Sequence, residues 1–466
     1  MFARVTPTLR AELERAVGPG IVLGPESDLG AYSHDMTEEF RFPPELVARP
    51  TSTEQVSAIL KIANRESIPV TPRSAGTSLS GGALALHGGI VLSMERMNRI
   101  LEVDTANLVA VVEPGVITQT LQETVQNHGL YYPPDPASRG SCMLGGNIAH
   151  NAGGPHAVKY GVTRDWVLGL ELVLADGRIL RSGGKLLKNV TGYNLTQLIV
   201  GSEGTLAVVT KILLKLIPYP AYRKALMASF PDLESAARAV AALFPARIVP
   251  SACEFIEAEA MRLVEQKLSK RFPVSGGQAS LLIELDGSRP ESVEEEILKA
   301  GELCSEHGAL QVVLAEEPSK IEEVWSLRRA VSEAIRAHSP YREEDVVVPR
   351  ANLPELMRTI RDVCQACGLS SLSFGHIGDG NVHVKVLRGA LDEADWGRRI
   401  DRATRMMFER VVAMGGMLTG EHGVGYVQRE FLPLALSADS IALMRQIKQV
   451  FDPKGILNPG KVFPSC

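Results

Sequence analysis

Two short stretches concentrate the residues able to do chemistry: Gly375-His376-Ile377-Gly378-Asp379-Gly380-Asn381-Val382-His383 and Gly420-Glu421-His422-Gly423. In the first, Asp379-Gly380 is a dipeptide favoured in two-residue type I′ hairpins. Counting outward from it pairs Gly378 with Asn381, Ile377 with Val382 and His376 with His383. Directly opposed residues carry Cβ atoms about 4.5–5.5 Å apart, so the two imidazoles could converge on one ion, with bonds of about 2.0–2.1 Å for zinc. Two histidines alone are more often structural than metal-binding, and a third ligand reverses that balance. Glu421 is the candidate. On a regular strand Glu421 and His422 would face opposite sides, but the glycines around them permit an irregular turn in which both serve one pocket. A His376, His383, Glu421 triad with open positions is the pattern of a catalytic rather than a structural site, with zinc first and manganese or iron(II) as alternatives. It leaves His422 outside the coordination set, placed to take a proton near neutral pH. The bland alternative for His422 is a surface histidine on a flexible loop.

Glycines and hydroxyls form a second signature. The run Thr71-Pro72-Arg73-Ser74-Ala75-Gly76-Thr77-Ser78-Leu79-Ser80-Gly81-Gly82 lies between two apolar stretches that read as strands, 68–70 and 90–92. Glycine there lets bare backbone N–H groups approach a phosphate. The run lacks the Lys-Ser/Thr pair of a Walker A loop and the Gly-x-Gly-x-x-Gly of a Rossmann turn. Residues 145–154 and 201–206 read as two further glycine-rich loops, and 131–138, with three prolines, as a stiff irregular wall. Three cradles and a wall suit a long ligand with a pyrophosphate at its centre.

The elements that must position these loops follow from apolar spacing. The spacing predicts helices over 53–64 and 118–128, a strand over 108–113, and a hairpin of 167–174 with 179–181 around Ala175-Asp176-Gly177-Arg178. Beyond Pro218 and Pro220, strands at 225–230, 252–256, 280–284 and 311–315 alternate with amphipathic helices at 233–244, 257–268 and 292–307. That alternation predicts an α+β layer with helices on one face of a sheet. A continuous helix is expected over 321–337, and the turn-rich segment 451–463 is expected to return to the first domain.

The chain has 466 residues, enough for two or three domains, and its net charge of −5 argues against a nucleic-acid surface as its main business. Residues 1–20 read as a short helix rather than an export peptide, and no apolar run approaches the roughly 20 residues needed to span a bilayer. Cys142, Cys253, Cys304, Cys364, Cys367 and Cys466 lack a disulfide framework, which favours a reducing cytoplasm. Cys364 and Cys367 invite a redox or zinc reading, but they end a helix-like stretch and have no second pair.

Taken together, Pro72 to Thr77, Pro133-Pro134-Asp135-Pro136, Gly145-Gly146-Asn147, Tyr160-Gly161 and Gly201 to Thr205 resemble the FAD domain of the vanillyl-alcohol oxidase and p-cresol methylhydroxylase superfamily. The resemblance implies an α+β fold: a two-subdomain PCMH-type FAD-binding domain (1–220), an α+β cap or substrate domain with an antiparallel sheet (221–415), and a C-terminal segment (416–466) that returns to the FAD domain. It implies FAD contacts from Pro72, Arg73, Ser74, Ala75, Gly76, Thr77, Ser78, Gly81, Pro134, Asp135, Ser138, Gly145, Gly146, Asn151, Gly154, Gly161, Glu203, Gly204, Thr205 and Asn458. No histidine or cysteine lies in 71–82, so the flavin is expected to be non-covalent.

The two histidine motifs, with Asn458-Pro459-Gly460-Lys461, closely resemble FAD-linked dehydrogenases of D-2-hydroxy acids, of the glycolate oxidase, D-lactate and D-2-hydroxyglutarate dehydrogenase type. That resemblance implies a divalent metal on His376, His383 and Glu421, His422 as the base, and Arg328 with Ser332, one helical turn on, at the substrate carboxylate. Where 2-hydroxyglutarate enzymes place a lysine, this chain has Arg342-Glu343-Glu344, which favours D-lactate or glycolate. The acceptor is left open among a quinone, a cytochrome, an electron-transferring flavoprotein and an iron–sulfur subunit. The expected setting is cytoplasmic, with at most peripheral association at the inner face of the membrane through a partner, and a homodimer is left open. The rival readings are an electron-relaying flavoprotein subunit and a flavin oxidase using oxygen.

Overall fold

The computed structural model describes residues 2–37 and 39–465, so Cys466 lies outside the described residues. The chain divides into two compact units, one of Met1–Gly153, Val162–Tyr219 and Glu421–Cys466, the other of Gly154–Gly161 and Pro220–Gly420. The sequence placed the boundaries at 220 and 415. The C-terminal segment joins the first unit from Glu421, and the short piece Gly154–Gly161 belongs to the second.

The first unit contains two sheets. In the four-stranded one, Val70–Arg73 runs parallel to Ile90–Ser93, which is parallel to Leu46–Ala48. Helix Thr53–Glu66 starts where Ser52 accepts the Gln55 N–H, and it buries Val56, Ile59, Leu60 and Ala63, the face its sequence spacing predicts. Ile456 and Leu457 enter the same core, and backbone bonds Val70 N–H to Ile456 O and Asn458 N–H to Val70 O (both 2.8 Å) return the C-terminal segment to this sheet. The five-stranded sheet contains the expected hairpin, with Val167–Val173 paired to Ile179–Gly183.

The second unit is built on a seven-stranded sheet, in the order Gln311–Ala315, Tyr222–Phe230, Ala279–Gly287, Ala252–Glu257, Ser370–Gly375, Asn381–Leu387, Tyr341–Val347. Every pairing is antiparallel. Helices cover both faces rather than one. Ala225, Met227, Leu282 and Phe374 share a cluster with Val264, Val324 and Leu327, whereas Leu226, on the opposite face, approaches Gly301 of helix Pro290–Glu306. This explains why the centres of these strands, Ala225 to Ala228 and Leu281 to Ile283, are unbroken apolar runs rather than alternating ones. The expected 321–337 helix is two helices, Pro318–Arg329 and Val331–His338, because the Ala330 N–H turns to the Leu327 carbonyl (3.2 Å) and tightens the last turn. Lys159 and Tyr160 bond the Asp286 carboxylate (2.5 and 2.9 Å), which holds Gly154–Gly161 on this unit's sheet.

Among the described residues, the cysteines are free and buried, and no helix is long and apolar enough to cross a membrane. Glu257 ends the strand Ala252–Glu257, and burial, only partly offset by Ser373, pushes its carboxyl up to about 7. A carboxyl raised in the folded state favours folding fully below its ordinary 4.5, and that contribution is lost as pH rises to 7. Over that window, chemical unfolding should show wild-type stability falling by on the order of 3 kcal/mol more than that of Glu257→Gln; equal slopes would contradict the assignment.

Candidate active site

In the second unit the chemistry-bearing residues gather on one sheet face. The Asp379-Gly380 turn is longer than expected: the strands end at Gly375 and resume at Asn381, and His383 lies opposite Phe374, not His376. The cause is local. Asn381 donates its N–H back to the His376 carbonyl (3.2 Å), and Gly380 adopts φ +92° with Val348 O only 2.1 Å from where a Cβ would be. His376 therefore rides on the loop rather than on the ladder. The two imidazoles still meet, with Nε2 atoms 3.4 Å apart and ring planes at 86°.

Each ring is backed by a carboxylate that sequence reasoning missed. His376 Nδ1 lies 2.7 Å from Glu254 Oε1, and His383 Nδ1 lies 3.2 Å from Asp345 Oδ1, the looser contact. At His376 the carboxylate behind Nδ1 fixes the tautomer that carries its proton there and leaves the Nε2 lone pair exposed; the longer ion-pair contact of His383 with Asp345 does not fix the tautomer of that ring. The Nε2 separation of 3.4 Å is also the edge of a tetrahedron with bonds of about 2.1 Å, so the pair has a spacing that fits a divalent metal. Asp345 is itself fixed by Asn381 Nδ2 (2.8 Å), Thr419 Oγ1 (2.8 Å) and the Gly420 N–H (2.8 Å to its carbonyl, 3.0 Å to Oδ2).

Glu254 has a second partner. Arg328, from the last turn of helix Pro318–Arg329, places Nε and Nη2 at 2.7 and 2.5 Å from Glu254 Oε2, and its guanidinium lies over the Phe374 ring at 5.0 Å. Burial would raise the Glu254 carboxyl, but Arg328 and His376 overcome it and hold it down at about 2. The residue expected to meet a substrate carboxylate thus already holds one of the chain's own through two of its three nitrogens. Ser332 is half-buried at the start of the next helix, so the break at Ala330 replaces the regular one-turn spacing from Arg328.

The first unit assembles the glycine loops. Arg73, expected at FAD, is buried and donates to His34 O (2.8 Å) and Ala31 O (3.1 Å), and burial lowers its pKa. Gly76 adopts φ +73°, and a Cβ there would lie 2.1 Å from the Arg73 guanidinium. Ser78 Oγ accepts the Gly82 N–H at 3.0 Å and closes the loop on itself. The second glycine-rich stretch is a short helix, Leu144–His150, capped by Asn151 at φ 52°. A Cβ on Gly145 would meet Ser74 Oγ at 2.9 Å, and one on Gly82 the His150 ring at 2.9 Å. Asn458 joins the loops, its amide donating to Gly82 O (3.0 Å) and Glu203 O (2.7 Å). Arg73, His150 and Ser74 stand too close to Gly76, Gly82 and Gly145 for a Cβ, so the glycine-rich and hydroxyl-rich segments pack directly on one another, and these are the residue types that suit an FAD pyrophosphate.

The remaining residues expected at FAD are placed as follows. Pro72 lies in the first strand of the cradle, and Pro134, Asp135 and Ser138 in the irregular wall, Asp135 buried. Gly204 and Thr205 form the third turn, and Gly154 and Gly161 belong to the second unit.

The Glu421-His422 loop docks on the same cradle. Ser80 Oγ donates to the His422 carbonyl (3.0 Å), and the Tyr426 and Val427 N–H groups bond Ser80 O. The Glu203 carboxylate takes the Val424 and Gly425 N–H groups (2.9 and 2.8 Å). Glu421 Oε2 lies 2.7 Å from the position of a Gly153 Cβ. Glu203, expected at FAD, therefore orders the loop that carries His422.

A flavin cradle in one unit and a histidine–carboxylate cluster in the other define the class: the chain belongs to the FAD-linked oxidases. Residues 219–462 match the family described as FAD linked oxidases, C-terminal domain, and residues 44–183 match an FAD binding domain. The chain is 39% identical to glycolate oxidase subunit GlcD of Bacillus subtilis (strain 168), over 98% of this chain and 97% of that one. It is 35% identical to D-lactate dehydrogenase of Anaerostipes hadrus (99% and 98% covered) and 36% identical to D-2-hydroxyglutarate dehydrogenase of Stutzerimonas stutzeri (strain A1501) (98% and 99%). The fold is that of p-cresol methylhydroxylase, with a TM-score of 0.81 over 98% of this chain and 97% of that one at 19% identity. The protein is an FAD-linked oxidoreductase.

Breaking the Glu254–Arg328 pair from one side leaves an uncompensated buried charge. Glu254→Leu and Arg328→Leu should each cost about 3–5 kcal/mol in urea unfolding, and the double variant less than the two together. Additive losses would mean that the pair is not coupled.

Proposed function

We propose that this protein oxidises a small D-2-hydroxy acid, D-lactate or glycolate, to the 2-oxo acid. The observation that carries the reading is the buried His376–His383 pair, each ring backed by a carboxylate, on the sheet face that also carries Arg328. The names of the relatives, two of which specify glycolate and D-lactate, support the substrate class.

FAD, when bound, supplies the acceptor for the C2 hydride at its N5. A divalent cation on His376, His383 and Glu421, zinc by its donor set with manganese or iron(II) as alternatives, supplies Lewis acidity at the substrate hydroxyl. Arg328 binds the C1 carboxylate through the face of its guanidinium not taken by Glu254, and Ser332 adds a hydroxyl donor. His422 removes the hydroxyl proton, and the glycines that flank it let the loop place the ring. The flavin contacts proposed are those of the three cradles and the proline wall. The term subunit in the GlcD name supports delivery of electrons to another chain, and an iron–sulfur acceptor, one of the open alternatives, would belong to that partner, since this chain carries no iron–sulfur cysteine pattern.

Anaerobic mixing with D-lactate or glycolate should bleach the flavin absorbance. His422→Ala should keep FAD and lose that bleaching by at least about 100-fold in rate, the usual scale for a general base; undiminished reduction would remove His422 from the role. Elemental analysis should find one equivalent of divalent metal in the wild type and much less in His383→Ala and Glu421→Ala. A full load in both variants would refute the triad.

A further inference from the structure

The glycine-rich segments of the first unit offer hydroxyls and backbone N–H groups but little positive charge. Within 71–82, 144–154 and 201–206 the basic side chains are Arg73 and His150. Arg73 is turned onto the Ala31 and His34 carbonyls (3.1 and 2.8 Å), and the neighbouring Lys461 onto Leu84 O and Asn458 Oδ1 (2.6 and 3.1 Å). His150 is not committed in this way. Its Nδ1 is enclosed without a hydrogen-bond partner among the described residues, although the residue as a whole is half-buried, so the exposed part of the ring lies away from Nδ1.

The ring stands where two loops meet. A Cβ on Gly82 would lie 2.9 Å from its Nε2 and 3.0 Å from Ser78 Oγ, and a Cβ on Gly423 would lie 2.7 Å from its Nδ1 and 3.0 Å from Glu203 Oε1. Nε2 therefore shares the 76–82 loop with the Ser78 hydroxyl, and Nδ1 lies on the side of the Glu203 carboxylate. The other charged groups around it are directed elsewhere. Asp35 takes the Thr37 hydroxyl (2.7 Å) and the Ala83 N–H (3.4 Å); Glu421, which precedes His422 on the Gly423 loop, directs Oε2 at Gly153; Asp165 takes the Val162 N–H (2.9 Å), and Arg164 Nη2 lies 3.5 Å from the position of a Gly201 Cβ.

An enclosed ring nitrogen without a partner costs stability. The cost falls when both nitrogens carry protons, because Nδ1–H then faces a carboxylate and Nε2–H is free to donate to an anion. His150 also ends the helix Leu144–His150, and the carbonyl end of a helix favours a cation. We propose that His150 holds the FAD pyrophosphate as an imidazolium, so that the protein takes up a proton when it takes up its flavin. Backbone N–H groups and hydroxyls grip a phosphate at any ordinary pH, whereas an imidazole contributes its charge only when protonated. The flavin-bound form then carries more protons than the flavin-free form, and affinity for FAD falls as pH rises through the histidine range. The proposal rests on the flavin contacts proposed above and is independent of the substrate.

Dilution of the FAD-loaded protein, with released flavin read by its fluorescence, gives the Kd at each pH. Riboflavin, which lacks the pyrophosphate, is the comparison ligand, its Kd read from competition with FAD. Between about pH 6 and 8 the Kd of FAD should rise at least about tenfold in the wild type, and that of riboflavin should stay constant. His150→Gln, which keeps a donor but takes no charge, and His150→Thr should each weaken FAD binding at least about tenfold at the acid end of that range and remove the pH dependence. Lys461, which burial lowers to about 7, titrates in the same window. A dependence that survives in either folded variant therefore assigns the proton to that lysine or to another group and overturns the proposal. So does a wild-type Kd that does not change with pH, or a riboflavin Kd that rises in parallel with that of FAD, and these two outcomes require no variant. If FAD and riboflavin bind equally tightly at every pH, the glycine-rich segments do not hold a pyrophosphate, and the flavin contacts fail together with the proposal.

Discussion

One buried carboxylate organises the second unit. Glu254 has no exposed side-chain surface, yet it stays ionised because it holds a guanidinium on one oxygen and an imidazole on the other. An ion this deep is tolerable only when fully satisfied, which fixes both partners at once. Arg328 is pinned at a helix end, and His376 is pinned in a loop that has no ladder bonds of its own at that residue. The tautomer of His376, and so the direction of its Nε2 lone pair, follows from the same contact.

The first unit solves a different problem, which is to bring bare backbone together without side chains in the way. Asn458 and Glu203 do this with side-chain amide and carboxylate groups used as staples. Lys461 completes the arrangement, donating to Leu84 O and Asn458 Oδ1, and burial pushes its ammonium down to about 7. The loop bearing Glu421 and His422 is therefore ordered by the residues that order the glycine turns.

Much of this was legible in the sequence because motifs are local. The cradle at 71–82, the hairpin at 175–178, the amphipathic helices and the histidine pair are all read from near neighbours. Glycine was the main source of error. Around Asp379-Gly380 the hairpin rule assumed a two-residue turn, and the Asn381 N–H bond to His376 O lengthened the loop and moved His383 opposite Phe374. At 145–150 glycines that looked like a loop lie in a short helix, and Gly145 is there because Ser74 and Pro114 stand too close for a Cβ, a tertiary constraint rather than a turn. Glu254 and Asp345 were invisible for another reason: each stands in a strand as an acidic residue with no local partner, and only the fold brings Arg328, His376 or His383 to it. Lys385 belongs to no motif, and only the fold shows that it is wholly enclosed.

The central claim is that Glu254 orients His376 so that its Nε2 and that of His383 can share a cation, as the proposed function requires. X-ray absorption at the metal edge of the protein as purified tests it most directly. The account predicts a first shell of nitrogen and oxygen donors at about 2.0–2.2 Å with the outer-shell scattering of two imidazoles. A spectrum lacking imidazole scattering, or showing only water and weakly held oxygen ligands, would contradict it.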